Sequence, residues 1–373
     1  MDIFSTFFVY IFLGDSVKKL IFLLILFLPF KLFAYETNAK AFILMDMDSG
    51  RVIAGKDVHY VQSVASISKI MTAIVAIENS DINKTITVGD EVLKAYGSGI
   101  YIRVGEKLRI KDLLYGLMLR SGNDAALAIS VAVSNDVDSF VKLMNEKAKE
   151  IGMKDTTFNN PSGLDEENGN FSSAYDMALL MSYAMKNEVF RKITSTKDYT
   201  LKTNKNVYKW HNKNKLLSTY KYTTGGKTGY TKIAKRTLVT SASKDDVNLT
   251  VVTINDGDDF NDHKNLYEEA FNEYASYSIL NKGFINIIGE DYYKNDLLYL
   301  KNNFKYLLRE DEKDILKLKY EINKLKKYKS GDKTGVVKVY LGDSLIHKED
   351  IFVKKGKEKK SFWDKIISFF KND

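Results

Sequence analysis

The sequence predicts an α+β fold over its first three quarters, followed by a smaller and mostly β part. Apolar residues recur at helical spacing in several segments between residues 70 and 274, and short apolar runs bounded by turn residues accompany them. After about residue 276 the helical spacing ends, alternating runs such as 336–341 follow Gly and Asp, and the charge density rises. A chain of 373 residues is long enough for more than one domain.

The predicted elements follow one another in a simple order. Residues 41–45 and 51–54 are apolar and enclose a polar turn, which predicts a β-hairpin. Helical segments come next, and two of them flank a Ser-Gly-Asn break. The predicted helices are 70–77, 110–119, 125–133, 140–151, 175–186 and 266–274, and the predicted paired strands are 238–242 and 249–254.

Residues 1–34 predict a signal peptide. Lys18 and Lys19 precede an apolar run at 20–30, and Ala34 comes before polar sequence, which is the order of a secretory signal. The run is shorter than the roughly 20 residues of a membrane span. We therefore expect an exported protein at the outer face of the cytoplasmic membrane or in the cell wall. A second apolar stretch at 1–16 leaves two alternatives open. Translation begins near residue 17, or the segment stays in the protein as a membrane anchor.

Residues 354–373 predict a basic linker and an amphipathic helix on a membrane surface. Five lysines lie between residues 354 and 360, ahead of the segment 361–371 (SFWDKIISFFK). Its apolar residues at 362, 366, 369 and 370 share one helical face, and lysines surround them, as in interfacial helices. A terminal helix that docks on the protein's own core is the alternative.

Composition excludes several kinds of site. Cysteine is absent, so disulfides and thiolate chemistry are excluded, and no two of the four histidines lie at ligand spacing. We expect no metal and no cofactor. The net charge of +8 is modest and no nucleic-acid-binding module is evident, so we expect no nucleic-acid partner.

Three separated motifs point to serine chemistry. Ser66 stands where a helix begins, and Lys69 follows on the same helical face, within reach of the hydroxyl. A serine needs an adjacent base, and a lysine serves only when its pKa falls several units from about 10.4. The Ser-x-x-Lys pattern recurs elsewhere in the chain and is weak alone. Here 121–123 (SGN) and 227–229 (KTG) follow it, in the order found in penicillin-recognising serine enzymes, with Gly122 replacing the usual Asp.

The segments around these motifs resemble the D-alanyl-D-alanine carboxypeptidases, which are the low-molecular-mass penicillin-binding proteins. The resemblance covers residues 39–277. It rests on 65–73 (ASISKIMTA), 119–126 (LRSGNDAA), 160–165 (NPSGLD), 174–178 (AYDMA) and 226–231 (GKTGYT). The segments 236–240 and 258–263 resemble the spore-cortex subgroup of this family.

The resemblance implies an activity and a role for each site residue. The enzyme would remove the terminal D-alanine of peptidoglycan stem pentapeptides, and β-lactams would inhibit it covalently. Ser66 is expected to be the nucleophile, Lys69 its base, Ser121 a proton relay and Asn123 the holder of Lys69 and the substrate amide. At the third motif, the carboxylate is expected to bind Lys227 and Thr228, beside Gly229, and the amides of Ser66 and Tyr230 to form the oxyanion hole. Lys227 is also expected to lower the pKa of Lys69.

The implied fold is a transpeptidase/β-lactamase-like domain, an antiparallel sheet with helices on both faces, followed by a small β-sandwich. We therefore predict a signal region at 1–34, a catalytic domain at 35–275, a mostly β domain at 276–353 and the tail at 354–373. The membrane surface is the expected partner of the tail. A D,D-endopeptidase or transpeptidase, a class A-like β-lactamase and a non-catalytic wall-binding module are the alternatives.

Some features fit the family pattern less well. Gly225 stands where the family usually has Asp, and acidic residues with His263 stand where some relatives place an arginine. We expect a second Lys-Thr-Gly, at 333–335, to be a hairpin turn. The acidic run 165–167 is expected to be a solvated loop, although it could hold a deacylating base as in class A β-lactamases.

Overall fold

The computed structural model describes residues 35–165 and 168–356. The predicted signal region at 1–34 and the predicted interfacial helix in the tail lie outside these residues. Within the described ranges, no helix combines the length and the apolar character that a bilayer crossing needs. The boundaries of the four predicted segments stay predictions.

The described chain contains strands, helices and single tight turns. The strands are β1 Ala41–Asp46, β2 Val52–Lys56, β3 Gln62–Ser63, β4 Thr85–Thr87, β5 Lys107–Arg109, β6 Phe171–Ser172, β7 Asp198–Lys202, β8 Val207–His211, β9 Thr223–Thr231, β10 Lys235–Lys244, β11 Val247–Ile254, β12 Ala275–Leu280, β13 Gly283–Ile285, β14 Leu297–Leu300, β15 Phe304–Leu308, β16 Leu316–Ile322, β17 Lys333–Leu341 and β18 Ser344–Lys354. The helices are α1 Lys69–Asn79, α2 Ile110–Tyr115, α3 Asn123–Ser134, α4 Val137–Ile151, α5 Ala174–Ala184, α6 Glu188–Thr194, α7 Leu216–Thr219 and α8 Asp259–Glu273. Short 3₁₀ turns span Ala65–Ser68, Asp90–Lys94 and Glu310–Ile315, and a π-helical turn spans Gly116–Arg120.

The central sheet is antiparallel, with the strand order β2-β1-β11-β10-β9. Strand β1 is buried along its whole length, which explains its uninterrupted apolar sequence. On β11, Val252 and Ile254 join the apolar cluster of the helical lobe, whereas Thr253 contacts His263 of α8. Helices therefore cover both faces of the sheet, as the α+β prediction required.

The helical predictions are confirmed, with one informative difference. The segment predicted as a helix over 110–119 is α-helical only to Tyr115 and continues as the π-helical turn Gly116–Arg120. Such turns are rare and concentrate at functional sites. The hairpin β7–β8 and the short helix α6 are not among the elements predicted from the sequence.

The chain from β12 onward forms its own β structure. A five-stranded antiparallel sheet has the order β13-β14-β18-β17-β16, and β12 pairs with β15. Its apolar residues form a cluster separate from that of the first part. The expectation that 333–335 is a hairpin turn was wrong. These residues begin β17, and the turn with Gly331 at φ +96° precedes them.

Candidate active site

Ser66 lies in the 3₁₀ turn that leads into α1. Ala65, just before it, has φ +50°, a left-handed conformation that non-glycine residues rarely adopt. Strain of this kind is retained where the surrounding structure over-determines a functional group. The turn places the Ser66 hydroxyl 3.0 Å from Nζ of Lys69, so the predicted nucleophile and base are in hydrogen-bond contact.

Lys69 is completely buried, yet its ammonium has polar partners. Nζ donates to Oδ1 of Asn123 at 2.8 Å and to the backbone carbonyl of Ser162. Burial, followed by the positive charge of Lys213, lowers the pKa of Lys69 to about 7. At neutral pH a large fraction of this amine is therefore unprotonated and can accept a proton from Ser66.

The second motif is held in place by an unusual backbone. Ser121 closes the π-helical turn with φ +65°, and α3 begins at Asn123. Nδ2 of Asn123 donates to the Tyr96 carbonyl at 2.6 Å, which fixes the amide so that Oδ1 faces Lys69. The neighbouring Asp124 is buried and accepts the backbone N–H groups of residues 100–102, so it ties the loop beside the site to α3.

The loop 160–165 supplies a carbonyl that the sequence did not reveal. Oδ1 of Asn160 accepts the backbone N–H groups of Ser162 and Gly163, and this turn aims the Ser162 carbonyl at Lys69. Gly163 has φ +79°, and a Cβ there would overlap the carbonyl of Ala65. The loop therefore packs directly against the turn that carries the nucleophile.

The third motif lies on β9, at the edge of the central sheet. Lys227 is buried, and Nζ donates to the Thr228 carbonyl at 2.6 Å. Burial, with the charges of Lys69 and Lys213, holds the pKa of Lys227 well below its ordinary value. A Cβ on Gly229 would overlap Oγ1 of Thr237 and come within 3.0 Å of the Ser66 amide nitrogen, so only glycine allows this approach.

These segments enclose one cleft of about 450 Å³. It contains predicted residues from all three motifs together with charged groups that we had not assigned. The lining residues are Ser66, Ser98, Ser121, Lys213, Thr228, Gly229, Tyr230, Arg236, Asp259 and Phe260. Lys69, Asn123 and Lys227 lie behind this surface, buried and joined to it by the contacts above.

Arg236 is the charged group whose position the sequence did not predict. It pairs with Tyr230 across β9 and β10 and lines the cleft. Asp259 holds its guanidinium in a fork, with Nη2 at 2.5 Å from Oδ1 and Nε at 3.2 Å from Oδ2. The acidic segment that follows the sheet therefore positions an arginine at the cleft.

Two expectations about charged residues, those for Lys227 and Asp165, need correction, and the structure also shows where His263 lies. Lys213 is the neighbouring cation that lowers the pKa of Lys69, whereas Lys227 is itself lowered by Lys69. His263 is fully buried between Thr240 and Thr253 and burial lowers its pKa to about 3, so it does not face a substrate.

Asp165 was expected in a solvated loop, but it is buried and accepts hydrogen bonds from Ser63 and Thr231 at 2.6 and 2.5 Å. It joins the loop to β3 and to the end of β9. The rest of the predicted acidic run, residues 166–167, lies outside the described residues.

The surroundings of position 225 explain why glycine stands there, where the family pattern has Asp. A Cβ at this position would overlap the Thr194 side chain, which also receives the N–H of Gly226. Helix α6 therefore packs too closely on β9 for any side chain at 225.

Known proteins are similar to this chain in sequence and in fold. A family described as D-alanyl-D-alanine carboxypeptidase matches residues 30–258, and the C-terminal domain of penicillin-binding protein 5 matches residues 274–359. The chain is 39% identical over 222 residues to the D-alanyl-D-alanine carboxypeptidase DacF of Bacillus subtilis, covering 58% of this chain and 57% of that protein. It is 35% identical over 255 residues to DacC of Escherichia coli, covering 64% and 62%. The chain thus spans about three fifths of these relatives.

Solved structures agree with these matches. Penicillin-binding protein 5 from Haemophilus influenzae superposes with a TM-score of 0.73 at 25% identity, covering 86% of this chain and 98% of that one. A mutant of the Streptomyces K15 DD-transpeptidase gives a TM-score of 0.60 at 30% identity, covering 64% and 99%. The first superposition includes both the helical part and the β part of the chain.

Proposed function

Because the chain belongs to the D-alanyl-D-alanine carboxypeptidase family, we propose that it is a serine-type D-Ala-D-Ala carboxypeptidase. It removes the terminal D-alanine from peptidoglycan stem pentapeptides and thereby limits cross-linking. The observation that carries the proposal is the buried Lys69 amine, which lies 3.0 Å from the Ser66 hydroxyl and whose pKa burial lowers to about 7. This pair can form an acyl-enzyme without histidine or metal.

Acylation begins when Oγ of Ser66 attacks the carbonyl carbon of the penultimate D-alanine. The hydroxyl proton passes to the neutral amine of Lys69, and the carbonyl electrons move to its oxygen. The amides of Ser66 and Tyr230 are proposed to stabilise that oxyanion, for which one donor contributes roughly 3–4 kcal/mol. The intermediate collapses with loss of D-alanine, and Ser121 relays the proton from Lys69 to the leaving amine.

Substrate binding also prepares the base. Burial and the positive charge of Lys69 both lower the pKa of Lys227, so Lys227 is protonated most easily when Lys69 is neutral. A substrate carboxylate beside Lys227 and Thr228 would favour the charged form of Lys227 and leave Lys69 neutral. We propose that Arg236, held in place by Asp259, also binds this carboxylate. It would have the role of the arginine that some relatives place after the third motif.

Deacylation uses the same base. The acidic residue lining the cleft within the described chain is Asp259, and Arg236 occupies its carboxylate. Lys69 is therefore the group placed to take a proton from water, which attacks the ester and frees the shortened stem peptide. An amine in place of water would give transpeptidation, and the likeness to a DD-transpeptidase keeps that reaction, with endopeptidase activity, as the second candidate.

Labelled penicillin tests the acyl-enzyme. We expect covalent labelling of the protein, loss of labelling in Ser66→Ala, and unchanged labelling in Ser218→Ala. The control serine also begins a Ser-x-x-Lys sequence but is exposed on another part of the surface. Labelling that survives Ser66→Ala, or is absent from the native protein, would refute the proposal and favour a wall-binding module.

Product analysis separates the related activities. A carboxypeptidase releases D-alanine from a pentapeptide when water is the only acceptor. A transpeptidase instead joins the acyl group to an added amine, an endopeptidase cleaves cross-linked dimers, and a β-lactamase releases hydrolysed penicillin rapidly. Lack of D-alanine release by a penicillin-labelled enzyme would reject the carboxypeptidase assignment.

The location of the protein follows from the same proposal. We propose export through the segment 1–34 and attachment to the outer face of the cytoplasmic membrane through the tail 354–373. Truncation of that tail should release the protein from membranes. A role in the spore cortex is a narrower proposal. Under it, loss of the protein should alter the cross-linking of spore peptidoglycan.

A further inference from the structure

The outward face of the β-domain sheet carries a row of three aromatic rings. Phe284, Tyr299 and Phe352 occupy directly paired positions on β13, β14 and β18, with ring centroids 6.3 and 5.7 Å apart. Their neighbours Leu298 and Val353 point into the core, so the row lies on the opposite face. Phe284 is 60% exposed at the edge of the sheet. Tyr299 and Phe352 are half-buried, so the row presents one exposed ring backed by two partly covered ones.

Lysines surround the aromatic row. Lys282, Lys301 and Lys354 line a cleft of about 630 Å³ beside Phe284 and Tyr299. The ammonium of Lys301 lies 3.6 Å from the ring centroid of Phe352, and that of Lys354 lies 5.5 Å from the centroid of Phe284. Among the described residues, the lining of this cleft includes no acidic side chain. The site therefore combines an apolar floor with a cationic rim.

This chemistry favours an anionic lipid surface over other occupants. Aromatic rings and lysines are the side chains that settle at the boundary between lipid headgroups and acyl chains. A neutral glycan would supply no negative charge for the three lysines of the cleft. A second copy of the chain would bring lysines against lysines, and so would the chain's own tail, which has five lysines between residues 354 and 360.

The course of the chain supports the same occupant. Lys354 ends β18 in the wall of the cleft, and the predicted interfacial segment begins at residue 361. An extended chain covers at most about 3.5 Å per residue, so the two are separated by no more than roughly 25 Å. A tail lying on a membrane would hold this face of the β domain close to it.

We propose that the aromatic row and its three lysines form a second membrane contact, which binds the surface of an anionic bilayer. The inference rests on the proposed attachment of the tail, and it adds a site on the folded domain itself. Two contacts on one body would fix the orientation of the β domain on the membrane, which a single tail helix cannot do.

A single label can test this contact because the chain has no cysteine. Phe284→Cys, carrying an environment-sensitive fluorophore, is compared in the exported protein with Leu318→Cys, which is 41% exposed on β16 at the other edge of the sheet. With vesicles of phosphatidylcholine and phosphatidylglycerol, we expect a blue shift and quenching by brominated lipid only for the label at 284. Failure of the tail proposal would show separately, as vesicle binding that removal of residues 357–373 leaves unchanged.

Charge reversal provides an independent measurement. Lys282→Glu with Lys354→Glu should weaken partitioning onto the anionic vesicles about tenfold or more, since each lysine near such a surface contributes about 1 kcal/mol. The matched control, Lys317→Glu with Lys319→Glu on β16, should change it little. Bound protein whose label at 284 stays exposed would overturn the proposal, and so would shielding of that label by isolated glycan strands or by the tail without vesicles.

Discussion

Lys69 shows how burial decides the chemistry of one residue. Three hydrogen-bond acceptors surround its amine, yet desolvation outweighs them and, with the charge of Lys213, lowers the pKa to about 7. None of the acceptors is a carboxylate, and the negative charge of the nearby Asp124 offsets only part of the effect of burial. The site therefore makes a base from a residue that is ordinarily a cation.

The pH dependence of acylation should reveal this base. The neutral amine is the active form, so the acylation rate with penicillin should rise about tenfold per pH unit below pH 7 and level off above it. Removing the nearby cation in Lys213→Gln should raise the pKa of Lys69 and move the midpoint to higher pH. A flat profile between pH 5 and 8, or a midpoint unmoved by that substitution, would contradict the assignment.

Arg236 should act on substrate binding more than on chemistry. Replacing Arg236 alone would leave Asp259 charged and buried, so the test variant is Arg236→Gln with Asp259→Asn. A hydrogen bond to a charged group contributes about 1.5–3 kcal/mol, which predicts a KM for pentapeptide about 10- to 100-fold higher. The variant and the native enzyme should have the same KM for a substrate whose terminal carboxylate is amidated. An equal effect on both substrates would show a structural role instead.

The sequence predicted the side chains of the three motifs, which the structure brings together at one cleft, better than the groups that position them. Ser66, Lys69, Ser121 and Asn123 stand in motifs whose spacing reflects their chemistry. Ser162 contributes only a backbone carbonyl, which no residue type encodes.

The charged partners Lys213 and Arg236 were missed for a related reason. Arg236 reaches the cleft because it pairs across β9 and β10 with Tyr230, and Lys213 reaches it from the segment between β8 and α7. Such positions depend on register and loop conformation, which composition and spacing do not specify.

At the scale of elements, the site depends on how closely β9 approaches the 3₁₀ turn before α1. Gly229 permits this approach, because Oγ1 of Thr237 and the Ser66 amide leave no room for a Cβ. Longer elements with strong periodicity, such as α4 and the β10–β11 pair, were predicted from the sequence. The π-helical turn was not predicted, because its buried apolar residues also suit an α-helix, and the hairpin β7–β8 was missed although burial alternates along both of its strands.

Gly229→Ala should therefore separate stability from catalysis. The extra methyl group should cost about 1–3 kcal/mol in the free energy of unfolding, as overpacking does, and lower the acylation rate about 100-fold by moving the nucleophile. Gly335→Ala is the control, since a Cβ there would overlap the Glu321 carbonyl in the second Lys-Thr-Gly. It should lose stability but keep its acylation rate. Equal acylation rates in both variants would mean that the approach of β9 is unimportant.

At the scale of the molecule, a largely buried ion pair joins the first part of the chain to the β domain. Arg51, beside β2, donates to Glu312 in a 3₁₀ turn of the β domain, at 2.5 and 3.0 Å, and to the Leu307 carbonyl at 2.6 Å. Its guanidinium also lies over the rings of Tyr274 and Tyr306. Both charged side chains are nearly inaccessible, at 13% and 10% exposure. The pair couples the catalytic part of the chain to the part that we propose contacts the membrane.

Breaking this pair should uncouple the unfolding of the two parts. Arg51→Met leaves Glu312 buried without its partner, which typically costs 3–5 kcal/mol, and calorimetry should then resolve an early transition of the β domain. The control is Arg191→Met, whose pair with Glu188 is exposed and contributes less than about 1 kcal/mol. Penicillin acylation at 25 °C should be unchanged in both variants, because neither arginine lines the cleft. A single transition at the native temperature in Arg51→Met would show that other contacts couple the two parts.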